Sequence, residues 1–283
     1  MAEQACSHQC APARILLTGA GGRLGGWLRP RLVLRHLIRS TDVVDLGEAL
    51  QGEETIQADF ADMQQCMRLV AGTQAVIHLG GVSVEDTFDR LLHSNIVGTY
   101  NIFEAARQAG VRRVIYASTH HVVGFYERGE SVDAASLPRP DSLYGVSKAY
   151  GEVLGSLYAN KYGMEVVCLR IGSAEPKPRD TRDLSTWLSL PDLLRLIEAC
   201  LAAPTFGFEI LYGVSANDRA WWKNSATGVI GYEPQDNAER FAPEHLGEGG
   251  LDSRDPSDPT ARFQGGRFAA AGLLSRPKKE GSL

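Results

Sequence analysis

A chain of 283 residues, 43% hydrophobic and 22% charged, is long enough to bury a sizeable core and has the make-up of an ordinary soluble globular protein. Its net charge of −5 offers no basic footprint, which argues against a nucleic-acid partner. Five scattered cysteines (Cys6, Cys10, Cys66, Cys168, Cys200) read as reduced thiols of a cytoplasmic protein, and no apolar run is long enough to span a bilayer.

The first residues, 1–12, lack a positive n-region and an apolar h-region and read as a polar tail, so the protein is expected to be neither secreted nor embedded in a membrane. Cys6, His8 and Cys10 lie in that tail; no second cluster completes a tetrahedral site with them, and no metal is expected. Residues 14–18 form a short apolar run that stops at Gly19-Ala20-Gly21-Gly22-Arg23-Leu24-Gly25, and apolar residues then recur at helical spacing through Trp27, Leu28, Leu32 and Leu37. This is strand, glycine turn, helix. Gly19, Gly22 and Gly25 suit a backbone that turns tightly, approaches a pyrophosphate and presents a helix N-terminus to it. A second strand, 37–42, ends at Asp42, where a carboxylate accepts hydrogen bonds from ribose hydroxyls, and this points to NAD rather than NADP. Two other readings stay open: Asp42 or Asp45 starts a turn, and Arg39 leaves room for a 2'-phosphate.

Strands at 55–58, 75–79 and 113–118 follow, with helices near 64–70 and 88–109 between them. The alternation predicts an α/β fold, a Rossmann-like doubly wound parallel sheet with its ligand at the C-terminal strand ends. Asp59-Phe60 either caps a helix or holds the adenine, and Gly80-Gly81 after Leu79 lets a dinucleotide pass close to the backbone. The 113–118 strand runs into Thr119-His120-His121. A helix over 143–162 carries Tyr144 and Lys148, whose four-residue spacing puts them one turn apart on one face. An ammonium beside a phenol favours the phenolate, which is a way to make a base. A strand over 165–172 ends beside Ser173, and the loop from Pro176 to Asp183 suits a lid or a substrate contact. A helix over 190–202 and a strand over 208–212 precede a Gly/Pro-rich tail, with irregular loop at 252–259 and a solvated end at Lys278-Lys279-Glu280. The expected organisation is a single domain, 13–283, with a dinucleotide-binding core over about 13–172 and a small substrate-binding lobe over about 173–283.

The glycine loop, the strand-end Thr119 and the Tyr144 and Lys148 pair together resemble the extended branch of the short-chain dehydrogenase/reductase superfamily, over nearly the whole chain. That branch's Thr-Gly-x-x-Gly-x-x-Gly loop is matched by residues 18–25, and Asn95 falls where it places a helix-bending asparagine. The resemblance implies Tyr144 as acid/base, Lys148 as its electrostatic partner and ribose anchor, and Thr119 as the hydroxyl that polarises the reacting oxygen. It implies NAD held along Gly19, Gly22, Arg23, Leu24 and Gly25, then Asp42, Asp59, Phe60, Leu79, Gly80, Gly81 and Asn95. Ser118, Tyr144, Lys148 and Ile171 complete that set, Ser118 lining the nicotinamide. Oxidising an alcohol requires its proton to leave while hydride passes to nicotinamide, so a phenolate beside a donor hydroxyl fits the task.

Residues 78–85, 144–148, 170–173, 182–187, 215–218 and 262–266 carry a closer resemblance, to uronate dehydrogenases, which oxidise hexuronic acids at C1 to aldarolactones with NAD. It implies Arg182 gripping the substrate carboxylate, as a planar guanidinium can do with two parallel hydrogen bonds, and Ser83 and Ser173 meeting sugar hydroxyls. The same resemblance implies that Phe268 closes the pocket and that Thr119, His120, His121 and Tyr144 complete the substrate site. One departure stands out: the group commonly has Ser-Ser-Asn-His where this chain has Ser118-Thr119-His120-His121, so an imidazole replaces an amide at His120. His121 matches the group's histidine, or else is a structural imidazole capping the strand end. The expected function is NAD-dependent oxidation of glucuronate or galacturonate by a homo-oligomer with no nucleic-acid or membrane partner. A nucleotide-sugar epimerase or dehydratase would need a larger C-terminal lobe. A non-catalytic NAD-binding regulator would typically lose the tyrosine and lysine.

Overall fold

Short apolar runs become strands where both of their faces can be covered. Seven do so here: β1 (Arg14–Thr18), β2 (Leu37–Asp42), β3 (Glu53–Gln57), β4 (Thr73–His78), β5 (Arg113–Thr119), β6 (Glu165–Ile171) and β7 (Phe208–Gly213). They form one all-parallel sheet in the order β7-β6-β5-β4-β1-β2-β3. β5 and β6 are buried along their whole length, which is why they lack an alternating polar face. The computed structural model describes residues 14–224, 227–250, 254–255 and 257–272. Cys6, His8 and Cys10 in the tail, and the Lys278-Lys279-Glu280 end, lie outside the described residues, as do residues 252, 253 and 256 of the 252–259 loop.

Successive strand residues point to opposite faces and meet different helices. On one face Ile15, Leu17, Ile115 and Leu169 pack with residues of α1 (Arg23–Leu32) and α7 (Leu190–Ala202). On the other, Leu16, Val114, Val166 and Cys168 pack with α2 (Met63–Val70), α4 (Gly98–Gln108) and α5 (Leu143–Tyr162). The strand order reverses between β1 and β4, and doubly wound sheets bind ligands in the crevice at that switch point.

Two arginines at strand beginnings tie helix ends to the sheet. Arg113 on β5 pairs with Glu165 at 2.6 Å and donates to the carbonyls of Cys200, Leu201 and Ala203 where α7 ends. Arg39 on β2 donates to the Leu69 and Ala71 carbonyls at the end of α2 and to Glu54. Those contacts bury Arg39 and close the 2'-phosphate reading, since its guanidinium is held away from the strand end that carries Asp42.

The helix expected over 88–109 is interrupted. α3 (Phe88–Leu91) passes through a π-helical turn, Leu92–Val97, before α4 begins. Such a turn admits one extra residue, and π-helical turns are frequent at functional sites. Buried Asn95 lies in it, its Oδ1 accepting from the Val82 amide at 2.8 Å while its Nδ2 donates to Val82 O and Ser147 Oγ, each at 2.9 Å. The asparagine thus ties the loop after β4 to α5, and its side chain is engaged with protein rather than turned toward a cofactor.

The stretch after β7 has little regular pattern, yet it folds back over the sheet edge. Gln264 N donates to Tyr126 O and Gly265 N to Gly124 O, which docks a turn of this segment on the chain that follows β5. Among the described residues, no helix is long and apolar enough to cross a membrane.

Candidate active site

The crevice at the switch point is lined first by the glycine loop. Gly19 has φ +69, and a Cβ there would lie 2.7 Å from the Leu79 and Gly80 backbone; a Cβ on Gly25 would meet Gly19 O at 2.1 Å. Only glycines allow this close stacking of turn, helix and neighbouring strand end. Thr18 Oγ1 reinforces it, accepting from Gly80 N at 3.1 Å and bonding His78 Nδ1 at 2.7 Å. α1 starts at Gly22 with no side-chain cap and no acidic residue in its first turn, whereas α2, α5 and α7 are capped by Asp62, Ser142 and Ser189. A long helix left uncapped beside a glycine cradle fits a pyrophosphate. Asp42 ends β2 and accepts from Gly21 N at 2.9 Å, so its carboxylate stands beside the glycine loop. Asp42→Ser is therefore expected to lower kcat/KM for NAD about tenfold and to narrow its lead over NADP. Steady-state kinetics with both cofactors check this, and an unchanged NAD preference counts against the role.

The side chains of several residues expected along the cofactor have partners within the protein. Phe60 is buried with its ring packed under Gly80, where a Cβ would come within 2.4 Å of it, so it is a floor beneath the crevice. Asp62, not Asp59, caps α2; Asp59 instead accepts from Ala61 N and meets His93 at 3.0 Å. Ser118 donates its hydroxyl to Glu152 Oε1 at 2.6 Å, as part of a buried network in which Glu152 and Arg170 pair at 2.9 Å. Its side chain belongs to the packing between sheet and α5. Arg23 donates to the Ala174 carbonyl and pairs with Glu175 at 2.9 Å, bridging the glycine loop to the chain after β6.

Tyr144 and Lys148 lie at the start of α5, both buried. Ser142 Oγ accepts from Gly145 N, and Glu85, from the loop that also carries exposed Ser83, accepts from the Leu143 and Tyr144 amides at 3.1 and 2.8 Å. Nothing local in the sequence marks Glu85 for this role, because the cap is supplied from 59 positions away. Lys148 Nζ donates to Ala117 O at 2.9 Å and stands 6.0 Å from the Tyr144 ring centre. Burial pushes the Tyr144 phenol up to about 12, with the Thr119 hydroxyl pulling it back, and burial pushes Lys148 down to about 8. In the chain by itself the pair does not yet make a phenolate. Desolvation outweighs the ammonium at that distance, contrary to what the spacing suggested.

Next to this pair the rings form a column. Phe268 stacks on His121 at 4.0 Å, His121 lies 4.1 Å from His120, His120 stacks on Trp222 at 5.4 Å, and Trp222 on Tyr212 at 5.1 Å. The Tyr144 ring centre is 6.0 Å from that of His121. His121 Nδ1 meets Asp141 Oδ2 at 2.7 Å, an orienting partner that holds the imidazole beside Tyr144.

At the far side of His120 lies Arg182, buried just before α6 (Asp183–Thr186). Its Nε donates to Gln264 O at 2.7 Å, its Nη2 meets His120 Nε2 at 2.6 Å, and its Nη1 reaches Ser173 Oγ at 3.3 Å. Asp183 Oδ1 is 3.7 Å away, and that carboxylate is engaged by Arg179 at 2.9 Å. Burial pulls Arg182 below its ordinary value. Of five guanidinium N–H groups, these three contacts leave one on each terminal nitrogen, the number a bidentate carboxylate takes. Gln264, fully buried and fixed by Trp222 at 2.8 Å, aims the arginine. It lies in the 262–266 stretch that carries the family resemblance, and nothing local in the sequence links it to Arg182, 82 positions away. Both nitrogens of His120 are engaged as well, one with Ile171 O at 2.9 Å and the other with Arg182.

Known proteins share these features. The model of the NAD dependent epimerase/dehydratase family matches residues 15–189. A uronate dehydrogenase of Pseudomonas syringae pv. tomato is 45% identical over 92% of this chain and 94% of its own length. Another, of Agrobacterium fabrum, is 44% identical over 90% of this chain and 96% of its own. A solved uronate dehydrogenase of Agrobacterium tumefaciens, a tyrosine-to-alanine mutant complexed with NAD, superposes with a TM-score of 0.87 at 42% identity, covering 94% of this chain and all of that one.

Proposed function

The chain belongs to the NAD dependent epimerase/dehydratase family and, within it, to the uronate dehydrogenases, and on that premise we propose that it oxidises hexuronic acids at C1 to the aldarolactone. It is an NAD-dependent oxidoreductase. NAD, when bound, supplies the acceptor for the C1 hydride. Gly19, Gly22 and Gly25, the N-terminus of α1 and Asp42 would hold it, with Leu79, Gly80, Gly81 and Ile171 along its path.

The observation that carries the substrate reading is Arg182, a buried guanidinium with one N–H left on each terminal nitrogen, joined to Tyr144 through the adjoining rings of His120 and His121. A carboxylate at one end of a hexose and the reacting C1 hydroxyl at the other fit that span of opposite chemistries. Tyr144 takes the hydroxyl proton, Thr119 orients the oxygen, and Lys148 keeps positive charge beneath them. Ser83 and Ser173 meet ring hydroxyls, and Phe268 covers the ring from the edge. Because the ring form is what loses hydride at C1, the product is a lactone. Purified protein with NAD and glucuronate or galacturonate should produce reduced cofactor, read by its absorbance. Silence with both acids, together with turnover of a UDP-sugar, would reject this in favour of an epimerase or dehydratase.

We propose further that the chain assembles as a homo-oligomer. On α5, Leu143, Val146, Val153 and Leu157 are exposed, with half-buried Tyr150 between them, and on the adjoining π turn and α4 Val97 and Tyr100 are exposed as well. Apolar residues every three or four positions on the outer side of two neighbouring helices suit a second copy of the same surface. Val153→Glu is expected to shift the mass in solution toward the 30.7 kDa monomer by light scattering. A monomeric wild-type protein would refute the assignment.

A further inference from the structure

We infer that His120 is a positioning residue for Arg182: a single imidazole tautomer, locked by the Ile171 carbonyl, turns the guanidinium toward the crevice and thereby sets the preference for sugars bearing a carboxylate over neutral ones. The inference rests on the reading of Arg182 as the carboxylate grip and deepens it at a position where this chain departs from the family's amide.

Hydrogen-bond polarity carries the argument. A carbonyl oxygen can only accept, so His120 Nδ1, 2.9 Å from Ile171 O, holds the ring proton. In the neutral ring Nε2 is then an acceptor, and a guanidinium can only donate, which matches the 2.6 Å contact from Arg182 Nη2. The other tautomer would set two donors face to face. The doubly protonated ring would place a cation against the arginine, and burial together with that charge accordingly holds His120 well below the ordinary imidazole range. Other charged and titratable groups packed nearby are His121, 4.1 Å away ring to ring, and Asp141 beyond it.

Direction follows from rigidity. The two imidazole nitrogens sit on opposite sides of a flat ring clamped between Trp222 and His121, so the bond to Ile171 O at one end fixes where the acceptor points at the other. Gln264 O holds Nε of the same guanidinium and His120 holds Nη2, so two contacts on different nitrogens define its plane. A carboxylate needs that plane, because two parallel hydrogen bonds form only in one orientation. A neutral hydroxymethyl group does not.

The test measures glucuronate oxidation at saturating NAD in wild type, His120→Phe and His120→Asn, with glucose as a competing neutral sugar. His120→Phe keeps a ring in the stack and removes both nitrogens. It is expected to raise KM for glucuronate about tenfold or more, with kcat, KM for NAD and inhibition by glucose each within about threefold of wild type. His120→Asn, offering one acceptor, should fall between the two, and it carries the same test if the phenylalanine variant does not fold. An unchanged glucuronate KM in both variants, or equal weakening of glucuronate and glucose, overturns the inference alone. No glucuronate turnover by the wild type would overturn the substrate reading and this inference with it.

Discussion

Tyr144→Phe should abolish nearly all turnover, lowering kcat for uronate oxidation by about 10³-fold, while NAD affinity and thermal stability stay close to wild type. The variant loses one oxygen. The ring, whose centre lies 6.0 Å from that of His121 and 6.4 Å from that of Phe268, is kept, so a large kinetic loss without a stability loss separates chemistry from packing. Turnover and NAD binding by fluorescence titration decide it, and a kcat within tenfold of wild type would remove Tyr144 from the role of base. The pH dependence follows from the same group. The base must be deprotonated to act and burial pushes it up to about 12, so the active fraction is small near neutrality and grows as pH rises. Lys148, pushed down to about 8, loses its charge as pH passes that point and ceases to favour the phenolate. The oxidation rate should therefore climb from about pH 6 to 8 and flatten above, with Lys148→Met removing the break in slope. A profile that falls across that range would contradict the assignment.

Arg182→Lys should cost about 100-fold in kcat/KM for glucuronate, mostly through KM, with NAD binding unchanged. Charge is retained, yet a lysine cannot hold Gln264 O, the His120 nitrogen and a carboxylate in one plane as the guanidinium does. A single ammonium cannot reach Gln264 O, His120 Nε2 and Ser173 Oγ together as the guanidinium fork does, so the replacement should also lower stability by about 1–3 kcal/mol, readable as a fall in Tm. Equal loss of uronate and NAD affinity would show that the arginine only supports the fold. The contrast with His120→Phe is informative, since that change leaves the charge and alters only its aim.

The parallel sheet and the cofactor edge were legible from local pattern. Continuous apolar runs such as 165–171 belong to strands covered on both faces, and the glycines at 19, 22 and 25 are required by contacts between the turn, its own helix and the adjoining strand end. α5 and α7 were legible to the residue, because Ser142 and Ser189 mark their starts with side-chain caps. The π turn at Leu92–Val97 was not, as one extra residue in a helix leaves the apolar spacing nearly intact.

Residue chemistry and spacing by themselves determined the fold class, the cofactor and the pairing of Tyr144 with Lys148, each of which rests on neighbours within a turn or two of the chain. Tertiary structure decided which polar groups face the ligand. Ser118 and His120 looked like ligand contacts, but their polar atoms meet Glu152, Ile171 and Arg182, between 34 and 62 positions away. Glu85, Gln264 and Trp222 looked unremarkable and hold the helix start, the arginine and the imidazole in place. The tertiary fold also set the charge state of the central pair, for the desolvation that raises Tyr144 and lowers Lys148 depends on everything packed around them and is written in no short stretch of residues.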